Sequence, residues 1–301
     1  IKMRTEGGGA MDAVDQRKLL KVVRGSSEIS DIFEVPILGI PTLVILIASF
    51  GAFGATTYLY LNGDLHPLAV IVINSILIYF SFTPLHEATH RSFSKVRMLN
   101  DALGTISAQL LLPGFSTGLY RYLHMAHHQH TGEKNSDPDL PFVSGSYMKK
   151  VLRWAFLDLL WTKFYFGNWK QRPVGERLRF TIGLVFYLSV FAVGFNSGYV
   201  SEFLVCWVFP MLLGRIITVY LFADIHHPEN VEQRVDPLGA TGMIRNTNLI
   251  QRILMLGQAR HLIHHLYPGL PWYRYDPVWN VAEKIIPPSM IKWGTFFGSL
   301  K

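Results

Sequence analysis

The sequence predicts an all-α integral membrane protein: four transmembrane helices paired as two hairpins, with interfacial helices and a histidine-rich cap on the cytoplasmic side. Three observations carry this expectation. The 301 residues are 50% hydrophobic and 13% aromatic with a positive mean hydropathy, too apolar for a soluble domain of this size. Apolar runs at 35–61, 66–85, 180–195 and 203–223 approach or exceed the roughly 20 residues that cross a ~30 Å hydrocarbon core. The basic residues, finally, avoid the two short connections between paired runs.

Residues 1–34 read as a cytoplasmic tail and amphipathic lead-in. Its start, "IKMRTEGGGAMDAVDQ", is expected to be disordered and lacks the apolar h-region of a cleavable signal. Residues 35–223 hold both hairpins and the cytoplasmic segment between them. The connections "NGDLHP" and "NSGYVSE" are short enough only for turns. Between the hairpins, 103–120 is apolar but broken at Pro113-Gly114, which suits an interfacial or re-entrant helix pair. The aromatic stretch 154–169 reads as an in-plane amphipathic segment. Residues 224–301 form a cytoplasmic C-terminal segment.

Orientation follows from charge, because Lys and Arg accumulate on the cytoplasmic side. The turns carry Asp64 and Glu202 and no cation. Arg17, Lys18, Lys21 and Arg24 precede the first run; Arg91, Lys95, Arg97 and the 149–179 region follow the second; Arg234 through Arg274 follow the fourth. Both termini and both long segments are therefore placed in the cytoplasm. The net charge of +7 is a topology signal and a contact with anionic headgroups rather than a nucleic-acid footprint. The single cysteine, Cys206, excludes a disulfide framework, a thiolate zinc site and an iron–sulfur centre built from this chain's thiols.

Of 12 histidines, 11 fall into four groups: "HEATH" at 86–90, "HMAHHQH" at 124–130, "IHH" at 225–227 and "HLIHH" at 261–265. Spacings of three and four residues share one helix face. His86/His90, His124/His127/His128 and His261/His264/His265 thus each present a set of imidazoles in one direction, near a predicted cytoplasmic helix end. A tetrahedral ion takes four ligands, so eight or nine convergent imidazoles imply two metals. Imidazole suits zinc, copper, iron and nickel alike.

The motifs "HEATH", "HMAHH" and "HLIHH" resemble, in sequence and order, the three histidine boxes of the membrane fatty acid desaturase/hydroxylase superfamily. "DPD" at Asp137–Asp139 and "HHLYPGLPWYRY" extend the likeness, which covers roughly 35–280. The resemblance implies a non-haem diiron centre of two iron ions, with O2 as co-substrate, bound by His86, His90, His124, His127, His128, His261, His264 and His265. Either His226 or His227 matches a further ligand at the end of the fourth span. It also implies oxidation of unactivated C–H bonds in a fatty-acyl or other lipid substrate, by desaturation, hydroxylation or terminal-alkene formation. Carotenoid and alkane hydroxylases share the architecture. Electrons are expected from an external donor, a ferredoxin, rubredoxin or cytochrome b5 with its reductase, since no H-P-G-G signature or dinucleotide fingerprint occurs.

Other residues near the boxes have plainer roles to weigh. Glu87, Asp137 and Asp224 are candidates to orient metal-bound imidazoles, as are Asp101 and Asp139, though carboxylates in turns often only cap. Arg91, Arg121 and Arg260 suit a substrate carboxylate, an acidic partner or lipid headgroups. His66 reads as a turn residue and His130 as solvated. His86-Glu87-x-x-His90 also spells a zinc-protease motif, with Glu87 as base and Asp224 as a possible third ligand, but that leaves the remaining clustered histidines unused. A haem protein would need only a few axial histidines and no adjacent pairs.

Overall fold

A computed structural model describes residues 11–298 and Leu300. The chain is mostly helical, and among the described residues four helices are long and apolar enough to cross a membrane. The first ten residues of the stretch expected to be disordered lie outside the described part. Its remainder is ordered: helix α1, Ala13–Arg24, starts on an Asp12 side chain that accepts from the Asp15 amide. Gln16, Leu19 and Val23 are buried along one face, and the Gln16 amide bonds Asp236 while its oxygen takes the Leu238 N–H. Contacts more than 200 residues away thus overrule the local composition.

Helix α2, Ile40–Leu61, begins five residues into its apolar run. The chain before it is extended, with Pro36 and Gly39 bonded to Lys95 and Phe93, and Pro41 occupies the first turn, where its missing N–H costs nothing. Helix α3, Pro67–Thr89, is capped by the His66 imidazole, which accepts from the Leu68 amide. It runs past its apolar segment to carry His86 and Glu87 in its last turn. A left-handed Arg91 (φ 60°) then ends it.

Helices α4, Arg97–Ala108, and α5, Thr117–His130, flank the Pro113-Gly114 break, each overlapping only one end of the 103–120 segment. Gly114 has φ +82°, and a Cβ there would lie 2.1 Å from the Gly183 carbonyl oxygen. Only glycine meets both demands. The aromatic stretch 154–169 takes in the end of helix α6, Tyr147–Ala155, and all of α7, Leu157–Gly167, which separate at Phe156. Their buried faces carry Trp154, Leu157, Trp161 and Tyr165.

Helices α8, Val174–Asn196, and α9, Val200–Asp224, follow; α9 loosens to π-helix at Leu204–Val208 and at Tyr220–Asp224. Helices α3 and α9 form the centre, about half buried, whereas α2 and α8 turn most of their apolar surface outward. Gly214 permits close approach of α9 to α3, since a Cβ would meet Ile78 at 2.9 Å. Asn74 donates across the same contact to the Cys206 carbonyl at 2.9 Å. The C-terminal segment contains α10 (Leu249–Met255), α11 (His261–Leu266) and α12 (Tyr275–Ala282). A two-residue parallel pairing of β1, Met243–Ile244, with β2, Trp293–Gly294, pins its end and is a small departure from an all-α chain.

Arg215 is a buried charge inside α9. Its guanidinium donates to Asp158 Oδ1 at 2.9 Å, to the Leu111 carbonyl at 3.0 Å and to the Ala155 carbonyl at 3.4 Å. It thereby fastens α7 and the loop before Pro113 to the central helix. Removing one member of a buried pair strands the other. Asp158→Ala is expected to lower unfolding free energy in detergent by roughly 3 kcal/mol, whereas Asp158→Leu combined with Arg215→Met recovers most of the loss; equal stability of the single and double variants would refute the pairing.

Candidate metal centre

The histidines come together because four helix ends meet. His86 occupies the last turn of α3 and His90 follows it; His124, His127 and His128 share a face of α5; His226 and His227 follow the π-helical end of α9; α11 supplies His261, His264 and His265. All ten are buried except His90, which is half-buried. Their ring nitrogens form overlapping groups whose donor atoms lie within 4.8 Å of one another: His86, His90, His124 and His264; His127, His227 and His265; and His128, His264 and His265.

The Nε2 atoms point inward. His264 Nε2 lies 3.1 Å from that of His86 and 2.9 Å from that of His128, which is 3.1 Å from His124 Nε2. The opposite nitrogen explains the aim in six cases. Nδ1 of His124 faces the Tyr120 hydroxyl (3.5 Å), and that of His127 Asp137 Oδ1 (2.9 Å). His227 has the Ala240 carbonyl (3.2 Å), and His261 has Gln258 Oε1 (2.6 Å). His264 has the Tyr275 hydroxyl (3.0 Å) and His265 has Gln233 Oε1 (3.1 Å). A partner on one nitrogen fixes the tautomer and frees the other as a ligand.

Burial pushes His90, His124, His128, His227, His261, His264 and His265 well below the usual imidazole range, and His226 to about 3. Neighbouring imidazoles add to the effect in these clusters. Neutral rings keep the lone pairs that a cation needs. His127 is the exception: burial alone would lower it, but Asp137 and Asp139 outweigh that and raise it to about 9. The neutral ring already carries the Nδ1 proton that Asp137 accepts, so the second proton sits on Nε2 and has to leave before that nitrogen can bind a cation. Several buried ring nitrogens, including His90 Nε2, His227 Nε2 and His265 Nε2, meet no protein donor or acceptor. Orphaned, convergent, neutral nitrogens fit cations.

Other expectations meet different partners. His226 stacks on His261 at 4.6 Å and joins none of the groups among the described residues. His130 is turned away to Glu133. Among the described residues Glu87 hydrogen-bonds no imidazole; its Oε2 accepts from the Ser92 hydroxyl at 2.9 Å and the Trp272 amide at 3.3 Å, joining the end of α3 to the segment after α11. Asp224 is paired with Lys150 instead of an imidazole, because α6 brings that cation to the end of α9, and among the described residues it joins none of the possible ligand groups. Asp137 does face an imidazole, and Asp139 takes the Trp161 indole N–H at 2.7 Å.

Arg121 caps the end of α3 rather than facing outward to a ligand, donating to the Ala88 and Thr89 carbonyls while paired with Asp101. Arg260 pairs with Asp276. The imidazole partners that sequence reasoning missed are Tyr120, Gln233, Gln258, Tyr275 and the Ala240 carbonyl. Gln258, three residues before His261, was open to the same spacing argument as the histidines; Gln233 and Tyr275 carried no local signal.

The fatty acid desaturase family profile matches residues 65–297. Dihydrorhizobitoxine desaturase of Bradyrhizobium elkanii is 27% identical over 69% of this chain and 65% of its own length. The endoplasmic reticulum omega-3 fatty acid desaturase of Vigna radiata is 27% identical over 63% of this chain and 46% of its own. A beta-carotene ketolase of Haematococcus lacustris is 31% identical over 32% of this chain and 33% of its own length. The chain thus spans about half to two-thirds of the length of the two desaturases.

An imidazole oriented by a carboxylate loses roughly 10- to 100-fold in metal affinity when that partner is changed. Asp137→Asn is expected to show such a loss in equilibrium dialysis against ferrous or cobaltous ion, while His130→Ala binds as wild type; equal affinities across all three would remove Asp137 from the site.

Proposed function

The chain belongs to the fatty acid desaturase family, and from that membership we propose that it is a multi-pass membrane oxidoreductase that uses O2 and two iron ions to oxidise an unactivated C–H bond of a fatty-acyl chain. The convergence of histidines from three boxes and the end of the fourth helix, Nε2 inward, is the observation that carries this reading. His86, His90, His124 and His264 would hold one ion, and His127, His227 and His265 the other. His128 lies between the two sets. His227 is preferred to His226 as the additional ligand because it stands with His127 and His265.

When bound, such a centre supplies the reducing equivalents and the Lewis acidity that O2 activation requires. This chain's residues do the rest. Asp137, Gln258 and Gln233 accept from Nδ1 of His127, His261 and His265 and so hold those rings in one tautomer, while the Tyr120 and Tyr275 hydroxyls orient His124 and His264. The apolar packing of Phe82 and Phe222 against His86 keeps water from that side. Glu87 is a clamp between α3 and Trp272. The four long helices form two membrane hairpins, with termini and histidines on the cytoplasmic side where the basic residues lie.

Reducing O2 to two waters takes four electrons. Turning a CH2–CH2 unit into an alkene supplies two electrons and two protons, so two more of each must arrive from elsewhere. Hydroxylation, which keeps one oxygen in the product and releases one water, has the same external demand. An outside electron donor is therefore part of the proposal.

The relatives include a ketolase, which favours a second reading in which the substrate is a carotenoid-like lipid. Mass spectrometry of lipids from cells expressing the chain separates the outcomes: products two hydrogens lighter mean desaturation or terminal-alkene formation, and products one oxygen heavier mean hydroxylation. All are expected to vanish in His264→Ala, together with bound iron at two per chain in the wild type. Unchanged lipids in wild type and variant, with no iron bound, would sink the proposal. Glu87→Gln, which can still accept both hydrogen bonds, is expected to retain iron and product; loss of peptide hydrolysis in that variant would instead revive the protease.

A further inference from the structure

A groove of about 600 Å³ runs between α2, the end of α8 and the first turns of α9. It lies at the end of the bundle opposite the histidines, with about 25 Å of α9 between Trp207 on its wall and Asp224 at the histidine end. Phe53 and Thr57 of α2 line one side, Phe203 and Trp207 of α9 another, and the break between α4 and α5 contributes Gln109 and Leu110. The polar groups of that break are already satisfied. Gln109 donates to the Thr105 and Phe115 carbonyls and accepts from the Gly114 amide, and the Trp207 indole N–H donates to the Leu110 carbonyl at 2.9 Å. Gly194 lets the Phe203 ring lie close to α8, since a Cβ there would fall 2.5 Å from it. The surface offered is therefore almost wholly apolar.

Its rim is different, with Tyr199 and Glu202 standing at the mouth. Helix α9 has 25 residues and rises about 37 Å, more than the ~30 Å of a hydrocarbon core. Glu202, in its first turn, thus reaches the headgroup layer while Phe203 and Trp207 stand in hydrocarbon. The Glu202 carboxylate accepts from the Ser201 hydroxyl at 2.7 Å, and the helices around it have no cation to give it. No Lys or Arg lies between Arg24 and Arg91, between Arg97 and Arg121, or between Arg179 and Arg215. Helices α2 and α8 turn most of their surface outward, so the groove is open to the bilayer.

We propose that this groove seats one acyl chain of a resident glycerophospholipid whose headgroup carries a primary ammonium, with that ammonium donating to Glu202. The apolar walls take the chain, the carboxylate selects the headgroup through a charge-assisted hydrogen bond, and Tyr199 at the mouth is an aromatic side chain of the kind that anchors at the headgroup level. The same carboxylate repels a free fatty acid or an anionic headgroup, and a choline headgroup has no N–H to donate. The inference requires only that the four long helices cross a membrane; it does not depend on iron or on the reaction. A lipid held there joins α2 to α9 on the side away from the histidines and is structural rather than substrate.

The test mixes the full chain in detergent with equal amounts of palmitoyl-oleoyl phosphatidylethanolamine, phosphatidylcholine and phosphatidylglycerol, together with palmitate, and counts bound species by native mass spectrometry. Wild type is expected to retain one phosphatidylethanolamine per chain ahead of the others. Glu202→Gln is expected to lower that preference about fivefold, the worth of one interfacial ion pair. Thr57→Phe, which fills the groove from its α2 side, is expected to remove the bound lipid. Asp64→Asn, in the other turn at the same end and outside the lining of the groove, is expected to bind as wild type. Phosphatidylethanolamine is also expected to raise the melting temperature of wild type more than that of Glu202→Gln.

An unchanged preference in Glu202→Gln, or an equal loss in Asp64→Asn, overturns the site. So does a wild-type chain that retains palmitate or phosphatidylglycerol in preference, that carries no lipid, or that associates as a dimer in place of the lipid. If Thr57→Phe fails to fold, by its melting curve without lipid, the comparison of Glu202→Gln with Asp64→Asn decides the question alone.

Discussion

Ten imidazoles packed into one buried space must be neutral and must be aimed, and much of the surrounding structure answers to those two requirements. Charge is the first. Two imidazoliums at the 2.9–3.1 Å Nε2 separations found here would repel strongly in a low-dielectric interior; burial keeps the rings uncharged. Only His127, beside two carboxylates, departs from this. Aim is the second requirement, and in six of the ten rings it is met by a single polar atom on the opposite nitrogen. Those atoms come from a hydroxyl, a carboxylate, amide side chains and a main-chain carbonyl, so no repeated motif marks them.

The ring orientations would mean little if the helix ends carrying them could drift. Arg121, from the helix of the second box, caps the last carbonyls of the helix of the first. Glu87 returns the connection from the first box to the segment after the third. His128 and His265 stack between the second and third. The three boxes therefore brace one another directly, while Arg215 and Asp158 hold the aromatic helices against the central span.

What was legible in the sequence is what depends on spacing and on continuous apolarity. The four long helices and the one-sided histidine sets follow from near neighbours in the chain, and they are present. Boundaries were less visible. Helix α3 outlasts its apolar run because Asn100 and Arg121 supply acceptors' partners at its end from elsewhere, and α1 forms because Gln16 finds a seat near Asp236. Asp224 looked like an imidazole's partner, yet Lys150, 74 residues away, takes it. The π-helical turns before His226 and His227 had no periodic signature, although they set which of the two rings turns toward His127 and His265.

The seat of Glu87 on the Trp272 amide has a consequence for biogenesis. A ribosome that has made the first two boxes has produced His86, His90, His124, His127 and His128, but none of the rings that complete either group and no anchor for Glu87. Until the chain reaches Trp272, those five imidazoles are a loose, open set beside the first pair of apolar helices. If the proposed centre is real, selective metal loading would be a property of the finished polypeptide, with the segment around Trp272 as the latch that brings the ligand groups together.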